Sequence, residues 1–89
     1  LYTPDIFSPN GDGVNDSFSV SIVGADFFEL TVFDRWGHQL FSTKNPKEGW
    51  GGTYPNGTEA PQDVYMYKVL FGSEEAGDKI KVGKVAIVK

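Results

Sequence analysis

Cysteine is absent from this 89-residue chain, and histidine occurs once, at His38. Without thiols there is no disulfide framework and no thiolate metal centre. A single histidine with no cysteine beside it cannot assemble a zinc site of the usual composition; placed just past Gly37, it reads as an exposed turn residue. No apolar run approaches the ~20 residues that a membrane-spanning helix needs. No signal peptide opens the chain, which reads as a piece of a longer protein whose own export signal would lie upstream. Cations are outnumbered: eight Lys and Arg face twelve Asp and Glu, for a net charge of −4. Phosphate binding needs a basic face, so nucleic acid is not an expected partner. Helical periodicity, internal repeats and low-complexity tracts are all missing.

Catalytic signals are equally scarce. No Gly-x-Ser-x-Gly elbow is present, and the serines lie on alternating faces of strand-like runs. The neighbouring carboxylates Glu74 and Glu75, and Glu48 and Glu59, fall in turns and are expected to be solvated. The chain is therefore not expected to be an enzyme.

What is abundant is aromatic side chains and turn formers: seven Phe, four Tyr and two Trp, with eleven Gly and five Pro. Short elements joined by tight turns around an aromatic core point to an all-β sandwich or barrel, as a single domain over residues 1–89. Pro4 lacks an amide donor and places a first strand, with core anchors at Ile6 and Phe7, at a sheet edge. Phe18, Val20 and Ile22 alternate with serines and predict a strand with one buried face. Leu30 and Val32 share a phase in the strongest strand, and the opposite position of Phe33 suggests that its other face is partly covered. A hairpin follows, with Gly37 in the left-handed position. Residues 44–57 are irregular, and Trp50, inside a glycine cluster, is expected to plug the core from a loop. Tyr65, Tyr67, Val69 and Phe71 share one face of the next strand, and Asp63 shortly before Tyr65 resembles the tyrosine corner of immunoglobulin-like sandwiches. In the last strand Ile80 and Val82 are out of phase with Val85 and Ile87. A β-bulge at Gly83 would return both pairs to the core face. The expected core includes Phe18, Val20, Ile22, Leu30, Val32, Tyr65, Tyr67, Val69, Ile80 and Val82, in an antiparallel sandwich of about seven short strands.

Three groups of residues could carry chemistry. The densest polar stretch is Asn10-Gly11-Asp12-Gly13-Val14-Asn15-Asp16, with two Gly, two Asp and two Asn in seven positions. With Gly13 at the sixth place of an EF-hand loop, Asn10, Asp12, the Val14 carbonyl and Asp16 fall on ligand positions. Ser8 and Ser19 then occupy the first and twelfth places, where a carboxylate and a bidentate Glu are needed. The loop is either a distorted Ca²⁺ site using Asn10, Asp12, Val14 and Asp16 or a metal-free network of Asx turns. Arg35 and Trp36 either lock a corner, with Arg35 bonded to loop carbonyls or Asp34 and stacked on a ring, or form an exposed turn. Trp36, Trp50, Tyr54, Tyr65 and Tyr67 are either core or a platform for sugar rings, and so small a core favours burial.

These residues resemble one family, the gliding motility-associated C-terminal domain, or type B sorting domain of the type IX secretion system. Phe7 through Phe18 fits its opening motif, Phe, Ser or Thr, Pro-Asn-Gly-Asp-Gly, any residue, Asn-Asp, any residue, Phe. Phe33-Asp34-Arg35-Trp36-Gly37 fits its aromatic, Asn or Asp, Arg-Trp-Gly segment. Trp50-Gly51-Gly52-Thr53 fits a Trp, Asp or Asn, Gly-Thr segment except at Gly51, which lacks the family's carboxylate or amide. Pro61-Gln62-Asp63-Val64-Tyr65-Met66-Tyr67 fits a proline-led strand with two tyrosines. The resemblance implies a non-catalytic, immunoglobulin-like module at the C-terminus of a larger secreted or surface protein, often an adhesin. It implies export across the outer membrane to the cell surface or medium, and recognition by the type IX translocon with a PorP/SprF-like outer-membrane protein. The motif residues Asn10, Gly11, Asp12, Gly13, Asn15, Asp16, Arg35, Trp36, Gly37, Trp50 and Tyr65 are the expected recognition set, and no cofactor is implied apart from the calcium considered above. An adhesive or carbohydrate-binding immunoglobulin-like module is the alternative.

Overall fold

The structure, a computed structural model, describes residues 6–7, 17–20, 22, 25–75 and 77–88. The loop from Asn10 to Asp16, and with it the calcium expectation, lies outside the described residues, as does Pro4. The chain is all-β: among the described residues five strands, β1 (Ile6–Phe7), β2 (Phe27–Phe33), β3 (Gln39–Thr43), β4 (Val64–Ser73) and β5 (Gly77–Ile87), form one sheet in the order β1-β5-β4-β2-β3. No helix forms among the described residues. The strands pair antiparallel except β1, which runs parallel to β5 through Ile6–Ala86 and Phe7–Ile87.

Among the described residues the regular strands form this one sheet, and less regular chain covers it. Phe18 and Val20 are buried and Ile22 half-buried, as their alternation predicts. Their segment nevertheless makes only an isolated bridge, Phe18 to Trp50, with amide and carbonyl exchanged both ways at 2.8 Å. A second bridge joins Thr53 and Glu59. The glycines and prolines around Trp50 interrupt the ladder that a longer pairing would need.

Side chains meet between these two layers. The inner face of the sheet brings Phe7, Leu30, Val32, Tyr65, Tyr67, Val69, Val85 and Ile87 into the core, and Phe18, Val20, Trp50 and Ala60 close it from the other side. Phe18 lies 5.2 Å from Tyr67 and Trp50 lies 5.1 Å from Tyr65, ring centre to ring centre. Phe7 touches both covering rings, at 6.3 Å and 5.5 Å. Such tilted and edge-on contacts suit aromatic quadrupoles. The far face is indeed partly covered at Phe33, and Thr31 there is buried.

The last strand departs from expectation. Pairing of β4 with β5 runs without a break from Val64–Ala86 to Ser73–Gly77, so no bulge exists at Gly83; the irregularity lies instead between Val32 and Phe33 in β2. Strict alternation then puts Val85 and Ile87 in the core and turns Ile80 and Val82 outward, exposed rather than buried. Gly83 has a different purpose. It faces Tyr67, and a Cβ there would lie 2.5 Å from the phenol oxygen.

Candidate functional site

The turn between β2 and β3 is built around one carboxylate. Asp34 donates its amide to the His38 carbonyl (3.0 Å), and its own carbonyl accepts the Gly37 amide (3.1 Å). Its side-chain oxygen Oδ1 accepts the amides of Trp36 (2.9 Å) and His38 (2.8 Å), and Oδ2 meets His38 Nδ1 at 3.0 Å. Gly37 closes the turn at φ +87°, where a side chain would be strained. Desolvation raises the Asp34 pKa, but the bonds from His38 and Trp36 outweigh it and hold the carboxyl below its usual range.

With Asp34 committed to the turn, Arg35 finds a different partner from the one expected. It reaches across the sheet to Asp63, just ahead of β4, donating from Nε at 3.2 Å and from its terminal nitrogen to the same oxygen. The hydrogen bond from Arg35, seconded by the Val64 amide (2.7 Å), holds the Asp63 carboxyl low, and Asp63 in turn raises the guanidinium pKa. The guanidinium carbon also stands 5.9 Å from the centre of the Trp36 ring, within cation–π range. Neither expected reading holds in full: Arg35 is paired, but with Asp63 and not with loop carbonyls or Asp34, while both Arg35 and Trp36, which is 75 % exposed, remain on the surface.

Tyr65 anchors the corner from below. Its hydroxyl donates to the Pro61 carbonyl at 2.7 Å, which is the tyrosine corner anticipated from its place beside Asp63. Burial, with Tyr54 and Asp63 nearby, pushes the phenol up to about 12. Trp50 packs on that tyrosine from the core side, with its indole nitrogen donating to the Thr53 carbonyl at 2.8 Å. Trp36, Tyr54, Pro61 and the Arg35–Asp63 pair line a shallow cleft of about 300 Å³. The aromatic set thus divides: Trp50, Tyr65 and Tyr67 belong to the core, Tyr54 is half-buried, and Trp36 faces solvent.

Arg35 and Trp36 are brought together with Tyr65 around one cleft, Gly37 closes the turn that carries them, and Trp50 lies one ring deeper. Asn10, Gly11, Asp12, Gly13, Val14, Asn15 and Asp16 lie outside the described residues. Asp63 and Pro61 lie outside the expected recognition set. Their pairing with the turn spans 28 positions in the case of Arg35 and Asp63, and no local pattern encodes it. Chemically, the corner offers a flat ring and a held cation. Its carboxylates are engaged by backbone amides, the His38 ring and Arg35, an arrangement that suits recognition. Among the described residues no group of three or more acidic or histidine side chains converges to hold a metal ion.

Because both carboxyl pKa values are depressed on folding, their stabilisation is fully present above the unfolded value and is lost as pH falls through the folded one. The melting midpoint is expected to drop below about pH 4. Asp63→Asn should flatten part of that acid limb while leaving the midpoint at pH 7 lowered only slightly; an unaltered acid limb would show that the pair contributes nothing.

A family model described as the CHU_C type IX secretion signal domain matches residues 1–87. No curated protein matches the chain.

Proposed function

The chain belongs to the CHU_C type IX secretion signal domain family, and from that premise we propose that it is a non-catalytic C-terminal sorting module. It directs the upstream domains of its parent protein through the type IX system to the cell surface or medium. The translocon, with a PorP/SprF-like outer-membrane protein, reads it as a folded unit. The observation that carries this reading is the family match over nearly the whole chain. The corner supports it. Arg35 and Trp36 are two residue types that dominate protein interfaces; Arg35 is held by Asp63, 28 residues away, beside the exposed Trp36 ring, so this part of the signal exists only after folding.

The finer fold reading, an immunoglobulin-like sandwich, has two supports. The run β5-β4-β2 follows the G-F-C order of that fold's sheet, and the tyrosine corner sits at the start of the strand equivalent to F. The Phe18–Trp50 bridge would then be the remnant of pairing in the second sheet. An adhesive or carbohydrate-binding role has one observation in its favour, the exposed Trp36 ring beside Tyr54.

The test is a fusion of this chain to the C-terminus of a periplasmic reporter in a host with a type IX system. Export of the reporter is expected. Deleting residues 85–89 removes Val85 and Ile87 from the core together with the β1–β5 pairing, and it should abolish export. A reporter that stays in the periplasm with the intact chain, or leaves with the truncated one, contradicts the proposal.

Calcium binding by Asn10, Asp12, Val14 and Asp16 is a separate question, resting on the sequence alone. The carboxylate missing at the first ligand place and the Glu missing at the twelfth predict that a chelator leaves the melting midpoint unchanged. A clear fall on chelation would instead assign the loop a stabilising cation.

A further inference from the structure

The outer face of the β4–β5 hairpin is apolar where a solvent-facing antiparallel sheet is usually polar. Ile80 and Val82 stand 64 % and 67 % exposed. The register sets Val82 beside Lys68 and Met66 beside Lys84, and brings Val64 and Ile6 to either side of Ala86 at the end of the same face. Met66, Val64 and Ile6 are exposed as well. Where the face meets the corner, a cleft of about 340 Å³ opens between Arg35, Asp63, Val64, Met66 and Lys84. Arg35 is already matched by Asp63, so Lys84 leaves this cleft with an excess positive charge.

We propose that this face docks a protein segment with an apolar centre and a carboxylate rim. The apolar side chains of the segment cover Met66, Ile80 and Val82, and its carboxylates meet Lys68 and Lys84. Contiguous exposed apolar side chains of this kind mark interaction surfaces, and charge complementarity at the rim sets partner and register. A second copy fits less well, because a two-fold axis through the middle of the face would bring Lys68 against its own equivalent. A lipid surface, which would cover the whole face, fits less well too: Glu29 and Asp78 lie at the Ile80 end of the face, away from Lys84, and would be driven into anionic headgroups, whereas a segment that sets its carboxylates at Lys68 and Lys84 leaves that end free of them. The inference rests on the sorting reading for where the partner is found, in the secretion apparatus.

The experiment places a photo-crosslinking residue at position 80 or 82, or at exposed Asn56 as a control, in the reporter fusion. Expected is one heavier protein adduct from positions 80 and 82 and none from 56. Lys68→Glu with Lys84→Glu should remove the adduct and lower export roughly tenfold. The melting midpoint of the purified chain should change little, as for most surface substitutions. Adduct and export report separately. A charge-sensitive adduct without export leaves the docking surface standing and overturns the sorting reading; export without any adduct does the reverse. An adduct of two fusion chains, or sedimentation of the purified chain with phosphatidylglycerol vesicles that Val82→Asp abolishes, assigns the face to another occupant and overturns the proposal.

Discussion

Trp50→Ala is expected to leave much of the population unfolded at room temperature. The indole is 1 % exposed and is wedged between Phe7 and Tyr65, at 5.5 Å and 5.1 Å. It also satisfies the Thr53 carbonyl, and its backbone forms the bridge to Phe18. Truncating a buried tryptophan costs about 3–5 kcal/mol, against a total stability that for a small domain without disulfides lies near the low end of roughly 5–15 kcal/mol. Equilibrium denaturation measures the loss. Trp36 is exposed and Trp50 buried, so the blue-shifted part of the tryptophan emission should vanish with the same substitution. Trp50→Phe, which keeps a ring between the layers, should fall between wild type and Ala. A midpoint close to wild type for Trp50→Ala would mean that the covering layer contributes little to the fold.

Gly83→Ala should destabilise the chain by about 1–3 kcal/mol, the usual range for overpacking. The new methyl would sit 2.5 Å from the Tyr67 oxygen and 2.7 Å from the adjacent ring carbon. A flexible neighbour could move aside. Tyr67 cannot do so freely, because it is buried and held against Phe18 at 5.2 Å. The cost should therefore depend on the ring. In a Tyr67→Leu background, itself destabilised, adding Gly83→Ala is expected to cost little, so the two changes should be strongly non-additive in a double-mutant cycle. Additive losses would place the effect in backbone conformation and not in the contact.

Both predictions concern residues whose setting was partly readable beforehand. Trp50 in a run of glycines reads as a loop residue, and so small a core favours burial of its ring over a place in a sugar-binding platform. The apolar phase changes at Gly83, but the unbroken β4–β5 pairing shows that no bulge causes the change. A one-dimensional pattern cannot distinguish a strand that slips its phase from one that outruns its core. Here β5 outruns it: Lys79 and Lys81 occupy the inner-face positions opposite Phe71 and Val69 and remain exposed. Ile80 and Val82 consequently form an outward apolar face.

The same division runs through the candidate site. Period-two alternation placed Leu30, Val32, Tyr65, Tyr67 and Val69 in the core, because side-chain direction along a strand is a property of the local backbone. Left-handed Gly37 and the tyrosine corner were likewise legible, since each depends on residues a few positions apart. Composition alone excluded disulfides and a thiolate metal site, because the residues that make them are missing. Strand order, the parallel pairing of β1 with β5, the choice of Asp63 over Asp34 as the partner of Arg35, and the exposure of Trp36, Ile80 and Val82 were decided only by the assembled fold. Each depends on which distant segments meet. That is settled by the total burial of apolar surface and the satisfaction of polar groups across the whole chain, and no window of neighbouring residues contains it.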